Sequence, residues 1–429
     1  MAQRSFLSDI LRRVAGSRGG ERGQQEEAEA DILSLCRDLM TDQGEASGLI
    51  TAQRILELYT KLTPARKTDF FQAICAEFGT DDKALSTAIK LWSSGDVNAA
   101  RAIHFAAEPR SQGLIRHINR VPGATARLVS MRADLLELIG SSGTLRGLDE
   151  DFQHLFSSWF NRGFLEIRRI DWSTPAEVLE KVIAYEAVHE ITGWDDLRQR
   201  VGDPDRRLFA FFHPAMPTEP LIFVEVALTE TIPGAIAPIL SSERKRIEPD
   251  LAKTAVFYSI SNCQKGLRGI SFGNFLIKQV VVELQRELPN LTTFVTLSPV
   301  PALRKWADKD AKDVENILSE TDLASLRAMD KDDIPSPEFA ARLAARYLTK
   351  AKRPQGTAYD PVAHFHLGNG AVLHKVHTDA DLSTRGRDNS WGVMVNYLYD
   401  GDQIETHHQA YATERSVAAS SEVCALARD

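Results

Sequence analysis

The sequence predicts an α+β protein in two parts, an all-helical domain over residues 1–160 followed by a mixed α/β domain over 161–429. Three observations carry this. Residues 28–146 place apolar side chains at helical spacing with almost no strand-like alternation. The glycine-rich "IGSSGTLRGLDED" then marks a change of texture. From "GFLEIRRIDW" onward, short β-branched and aromatic runs alternate with helical stretches. A chain of 429 residues also exceeds what one ordinary core organises, so two domains are expected.

Taken in order, the opening "MAQRSFLSDILRRVAGSRGGERGQ" sets Phe6, Leu7, Ile10, Leu11 and Val14 against arginines. That pattern resembles a mitochondrial presequence, but Asp9 and Glu21 favour an amphipathic helix packed on its own domain. "SGLITAQRILELYTKL" has i, i+3, i+4 apolar spacing, and Thr63-Pro64 and Thr80-Asp81 read as helix starts. This first third holds no concentrated group of polar residues, which suits a scaffold. The predicted strands of the second part are "GFLEIRRIDW", "RLFAFFHP", "LIFVEVALT", "AVFYSISN", "TTFVTLSP", "AHFHLGNGAVL" and "WGVMVNYLY". No fixed-period repeat is visible.

Composition narrows the function classes. With 43% hydrophobic and 26% charged residues the chain is of ordinary globular type. Its formal charge of −8 argues against a nucleic-acid or anionic-membrane partner, so any anion site must be local. Cys36, Cys75, Cys263 and Cys424 are far apart and form no CxxC pair, which suggests neither a zinc ribbon nor a disulfide framework. No stretch approaches 18 consecutive apolar residues, so no membrane association is expected. The ending "CALARD" lacks the Ser-Lys-Leu peroxisomal address, and the cytoplasm is the expected compartment, with the mitochondrion left open. His364, His366, His374 and His377 are numerous enough for a metal cluster, yet strand and turn placement argues against their converging; no metal is expected.

The most informative stretch is "QKGLRGISFGNFLIKQVVVELQREL", residues 264–288. It follows a strand with glycines at 266, 269 and 273 and the cationic pair Lys265 and Arg268, and then continues as an apolar-periodic helix. Glycines let backbone approach a ligand closely, and unpaired N–H groups at a helix start bind phosphate oxygens. Lys265 and Arg268 would add charge-assisted contacts. The spacing fits neither GxGxxG nor the Walker loop. A strand followed by Gln-x-x-Gly-x-Gly or Ala belongs to acetyltransferase-type folds that hold coenzyme A, and "QKGLRG" is similar to it in a different register.

With "EPLIFVEVALT" before it and "TFVTLSPVP", "FHLGNGAVL" and "NYLY" after it, this stretch resembles the ordered signature segments of malonyl-CoA decarboxylases, through most of residues 160–400. The resemblance implies a GNAT-type, acetyltransferase-like catalytic domain that converts malonyl-CoA to acetyl-CoA and carbon dioxide, with no cofactor. It implies that Ser298, His366 and Tyr399 are catalytic. It also implies coenzyme A contacts from Gln264, Gly266, Arg268, Gly269, Ile270, Ser271, Phe272, Gly273 and Asn274, with Ser298 and His366 touching the substrate. A homo-oligomer, with a tetramer favoured, is implied as well. Two departures stand out: Ser271 occupies a place where some relatives carry an acidic residue, and "SPVP" continues as "ALRKW" rather than glycine-aromatic.

Each chosen residue has a plainer reading. A serine before proline at a strand end is usually a turn former. By alternation His366 shares a strand face with His364, and either could be a structural imidazole; the match selects His366 because it directly precedes "LGNGA". Tyr399 could be an ordinary core tyrosine. Two other functions use the same features: a coenzyme A-dependent N-acyltransferase with a base such as Glu225, and a non-catalytic coenzyme A-binding assembly protein.

Overall fold

The computed structural model describes residues 24–428, apart from 42–43, 93–94, 141–142, 271–275, 309–311 and 331–332. The amphipathic opening therefore lies outside the described residues. The chain divides into two compact units. The first runs to Phe164 and regains two later segments, His213–Glu219 and Gln264–Ser271; the second holds Leu165–Phe212, Pro220–Cys263 and the chain from Phe272 onward.

The first unit is helical, with helices at Gln24–Leu39, Glu45–Tyr59, Pro64–Glu77, Asp82–Leu91, Val97–Ala107, Arg110–Ile118, Ala124–Leu138 and Gly143–Trp159. Local chemistry sets several starts. The Thr63 hydroxyl accepts from Arg66 N ahead of Pro64. At the next start the cap is Asp81 and not Thr80, because the Asp81 carboxylate accepts from Lys83 N and Ala84 N. Arg132 and Asp149, on two neighbouring helices, form a buried pair with Nε–Oδ1 at 2.7 Å. Arg132 also donates to Gly266 O at 2.8 Å, which anchors the returning segment 264–270.

The second unit is built on a mixed sheet. Its strands are β1 (Glu166–Ile170), β2 (Arg206–Phe212), β3 (Ile222–Thr229), β4 (Thr254–Asn262), β5 (Thr293–Thr296), β6 (Ser298–Pro299), β7 (Val372–His377) and β8 (Met394–Leu398). They lie in the order β1-β2-β3-β4-β5-β8-β6, with β7 also on β8. Only β4 and β5 pair in parallel among these described strands, and helix Leu276–Glu287 makes the crossover between them. β2 is buried along its whole length and β3 nearly so, which explains their almost unbroken apolar runs. Val178, Leu179 and Val182 of helix Ala176–Tyr185 and Leu197 and Val201 of helix Trp194–Gly202 pack with Leu208, Ala210, Phe212 and Phe223 in one core. No helix among the described residues is long and apolar enough to cross a membrane.

A helical first third followed by a mixed sheet is the architecture the sequence predicts. Two predicted strands differ. "TTFVTLSP" is divided into β5 and β6 at Leu297, whose N–H bonds Phe257 O instead. "AHFHLGNGAVL" is not one strand: its first half is helix Pro361–Gly368, and β7 begins only at Val372. Asp360 is the reason. Its carboxylate accepts from Val362 N and Ala363 N, and Pro361 sits at the first helical position where it needs no N–H partner.

Candidate active site

The pairing of β4 with β5 stops at Phe257–Thr296, although β4 continues to Asn262. Where the two strands part lies a cavity of about 350 Å³. Phe257, Ile260 and Phe365 give it apolar walls, and Ser298, His366 and Asn262 bring polar groups to it. Such a lining, mostly apolar with a few convergent polar groups, suits a small acyl ligand.

Ser298 is on β6 and His366 is in the last turn of helix Pro361–Gly368, 68 positions later. Ser298 Oγ lies 3.1 Å from His366 Nε2, and His366 Nδ1 lies 2.8 Å from the Tyr399 hydroxyl. Ser298 Oγ also donates to Thr296 Oγ1 at 2.9 Å. This leaves the serine oxygen to accept from Nε2–H and Nδ1 to accept from the Tyr399 O–H, a continuous chain from tyrosine to threonine. Tyr397 stacks on the imidazole, with ring centroids 4.6 Å apart, and its backbone N–H donates to Thr296 Oγ1.

Electrostatics follow from burial. His366 is 2% exposed, and desolvation lowers its pKa to about 3, so the imidazole is neutral at physiological pH. Burial likewise keeps the Tyr399 phenol protonated. The neutral ring thus holds one proton, on Nε2, with Nδ1 facing the Tyr399 hydroxyl.

The strand reading of His364 and His366 is also corrected. On a helix, positions two apart face different sides. His364 turns to the Tyr411 hydroxyl at 2.9 Å, while His366 faces Ser298 and Tyr399. His377 bonds Asn396. Among the described residues no group of three or more His, Cys, Asp or Glu side chains is placed to hold a metal ion.

Glu225 lies away from the cavity lining and is fully buried. Tyr258 OH donates to it at 2.5 Å, and Arg200 approaches it at 3.4 Å. Burial, reinforced by the charge of Glu186, pushes its carboxyl up to about 8. Arg200 also donates to His189 O and Glu190 O, each at 2.8 Å, fixing the segment that brings Val188 to the cavity wall.

The glycine segment divides by position. Ser271, Phe272, Gly273 and Asn274 lie outside the described residues, and the described helix begins at Leu276. Gln264, Gly266, Arg268, Gly269 and Ile270 belong to the helical unit. Gly266 has a packing cause: a Cβ there would stand 1.8 Å from Val129 O. Gly269 has a conformational one, with φ at +82° and nothing closer to its Cβ position than Gln153 Oε1 at 3.9 Å.

Sequence reasoning missed Thr296, Tyr397 and Asp360. Signals for two of them were present. Alternation in "NYLY" puts Tyr397 and Tyr399 on one strand face. Asp-Pro ahead of an apolar run is a helix-start pattern.

Comparison with known proteins places the chain as a whole. Residues 163–429 match the family model for the malonyl-CoA decarboxylase C-terminal domain, and residues 78–160 match that for its N-terminal domain. A mitochondrial malonyl-CoA decarboxylase of Rattus norvegicus is 32% identical over 462 residues, spanning 98% of this chain and 91% of the relative. The crystal structure of malonyl-CoA decarboxylase from Rhodopseudomonas palustris superposes with a TM-score of 0.86 at 48% identity, covering 92% of this chain and 98% of that one. That from Agrobacterium vitis gives 0.87 at 48% identity, covering 93% and 100%. With both family models matched in order and both kinds of relative covered almost end to end, the chain belongs to the malonyl-CoA decarboxylase family.

Proposed function

We propose that this chain decarboxylates malonyl-CoA to acetyl-CoA, using Ser298, His366 and Tyr399. The carrying observation is the Ser298–His366–Tyr399 hydrogen-bond chain, buried and opening on a largely apolar cavity. The bond between the α-carbon and the carboxylate breaks, and its electron pair stays on the α-carbon, delocalised onto the thioester oxygen as an enolate. Carbon dioxide leaves neutral. A low-dielectric cavity favours this step, because a localised carboxylate is lost and the enolate meets preset donors. The Ser298 O–H and the His366 Nε2–H become those donors when they exchange Thr296 Oγ1 and Ser298 Oγ for the thioester oxygen of the bound substrate. The α-carbon then takes a proton from His366 Nε2 while the Tyr399 O–H gives its own to Nδ1, so the imidazole stays neutral; once the product leaves, solvent entering the cavity returns a proton to Nε2 as Nδ1 gives its proton back to the Tyr399 phenolate.

Coenzyme A is assigned to Gln264, Gly266, Arg268, Gly269 and Ile270, continuing through Ser271, Phe272, Gly273 and Asn274, with backbone N–H groups on the pyrophosphate. No further cofactor enters the scheme. The burial of Glu225 speaks against an acyltransferase that uses it as base toward an amine. Self-association through the helical unit, as a tetramer, and a cytoplasmic site of action belong to the same reading; sedimentation of the purified chain tests the former.

Incubation of the purified protein with malonyl-CoA alone is the direct experiment. Acetyl-CoA formed without any acceptor supports the proposal. Release of free coenzyme A only when an amine is supplied would replace it with acyl transfer, and ligand protection without turnover would leave a binding protein.

A further inference from the structure

Ser298 and His366 reach each other from two elements with no mutual strand pairing, so something must set their spacing. Asp360 stands at the joint. Its side chain is 1% exposed, and its two oxygens are divided between the two elements. Oδ1 accepts from Val362 N at 2.9 Å and Ala363 N at 3.0 Å, capping the helix that bears His366. Oδ2 accepts from Ala302 N at 3.4 Å and from the Tyr347 hydroxyl at 3.2 Å. Ala302 lies four residues beyond Ser298, and the chain between them carries Pro299 and Pro301, whose rings fix φ at both positions. Tyr347 is itself held by Trp306, with ring centroids 4.9 Å apart, and Trp306 N bonds Ala302 O at 2.9 Å.

Two stiff arms thus leave one carboxylate: a helical arm of six residues to His366 and a proline-stiffened arm of four residues to Ser298. We infer that Asp360 is a positioning residue for the decarboxylation, setting the Ser298–His366 separation by bonding both arms at once. It touches no substrate in this role. A displacement of about 1 Å between reacting groups can cost on the order of a hundredfold in rate. The inference rests on the function proposed above only for its kinetic consequence; the separation itself is a property of the folded chain.

Substitutions that keep the helix cap and break the second bond make the test. Asp360→Ser retains a capping oxygen but cannot reach Ala302, and Asp360→Asn retains the cap while turning an amide donor toward Ala302 N–H. Both should fold, with a thermal midpoint above that of Asp360→Ala. In both, kcat should fall by roughly ten- to a hundredfold while KM for malonyl-CoA stays within about twofold, and crystal structures should show the Ser298–His366 contact lengthened beyond hydrogen-bond range. Tyr347→Phe, which keeps the ring stacked on Trp306, should lower kcat in the same direction by less. Normal kcat with an unchanged Ser298–His366 distance in Asp360→Ser and Asp360→Asn would reduce Asp360 to a helix cap and overturn the inference. If the unsubstituted protein formed no acetyl-CoA, the proposed function would fail while the distance in the two variants still decided the positioning role.

Discussion

Ser298 Oγ and His366 Nε2 meet at 3.1 Å, each more than nine-tenths buried, from a two-residue strand and the last turn of a short helix. Neither group is reactive alone. A serine hydroxyl is a weak acid, and an imidazole with its pKa lowered to about 3 holds no spare proton at neutral pH. In the proposed scheme their contact, continued to Tyr399, lets a proton enter at one end of the chain as another leaves.

His366→Asn keeps a polar side chain of similar size and removes the ring that passes the proton. Turnover of malonyl-CoA should drop by roughly two to four orders of magnitude, the usual contribution of general acid–base catalysis. Ser298→Ala should lose turnover with little change in coenzyme A affinity. Steady-state acetyl-CoA formation and calorimetric binding check both, and an acyl group found on Ser298 by mass spectrometry would replace the direct scheme with a covalent one.

Tyr399→Phe removes the hydroxyl partner of His366 Nδ1 and leaves that nitrogen buried without a hydrogen bond. The stability cost should be about 1–3 kcal/mol. Turnover should fall further than stability alone explains, since proton replacement at Nδ1 is lost. A Tyr399→Phe enzyme with unaltered kcat would move the proton source elsewhere.

Acid sensitivity follows from the two buried neutral histidines. The pKa of His366 is lowered to about 3 and that of His189 to about 4, both chiefly by burial. The unfolded chain takes up these protons near 6.5 and the folded chain does not, so the stabilising preference for neutral imidazole is complete above pH 6.5 and declines as pH falls toward 3–4. At pH 5 each should cost about 2 kcal/mol relative to neutrality. Denaturant titrations at pH 7 and pH 5 should show the loss, and His366→Asn should reduce it by about 2 kcal/mol.

The two glycines of the returning segment should respond differently. Gly266→Ala drives a methyl into Val129 O and should lower the thermal midpoint, at a cost of about 1–3 kcal/mol or more. Gly269 has open space but a left-handed backbone, which Asn tolerates nearly as well as Asp. If the coenzyme A assignment holds, Gly269→Asp should bind coenzyme A at least about tenfold more weakly than Gly269→Asn. Equal affinities would remove phosphate from the neighbourhood of Gly269.

The sequence by itself determined the helical-then-mixed order and the positions of most strands, and its family resemblance singled out Ser298, His366 and Tyr399, which the fold brings together. The order and the strands are legible because apolar periodicity is a local property, and the three residues because they stand in the segments that carry the resemblance. It did not reveal that His366 lies on a helix. There the alternation of "HFHL" suggested a strand, but one carboxylate from Asp360 satisfied two N–H groups and Pro361 supplied the first turn, outweighing a weak strand preference. Nor did it reveal why Gly266 is glycine, since the atom it must avoid, Val129 O, is 137 positions earlier in the chain. The neutrality of His366, the stacking of Tyr397 and the division of Asp360 between two arms were decided only by the tertiary structure. Desolvation and contact geometry depend on which distant residues close around a group, and spacing along the chain carries no record of that.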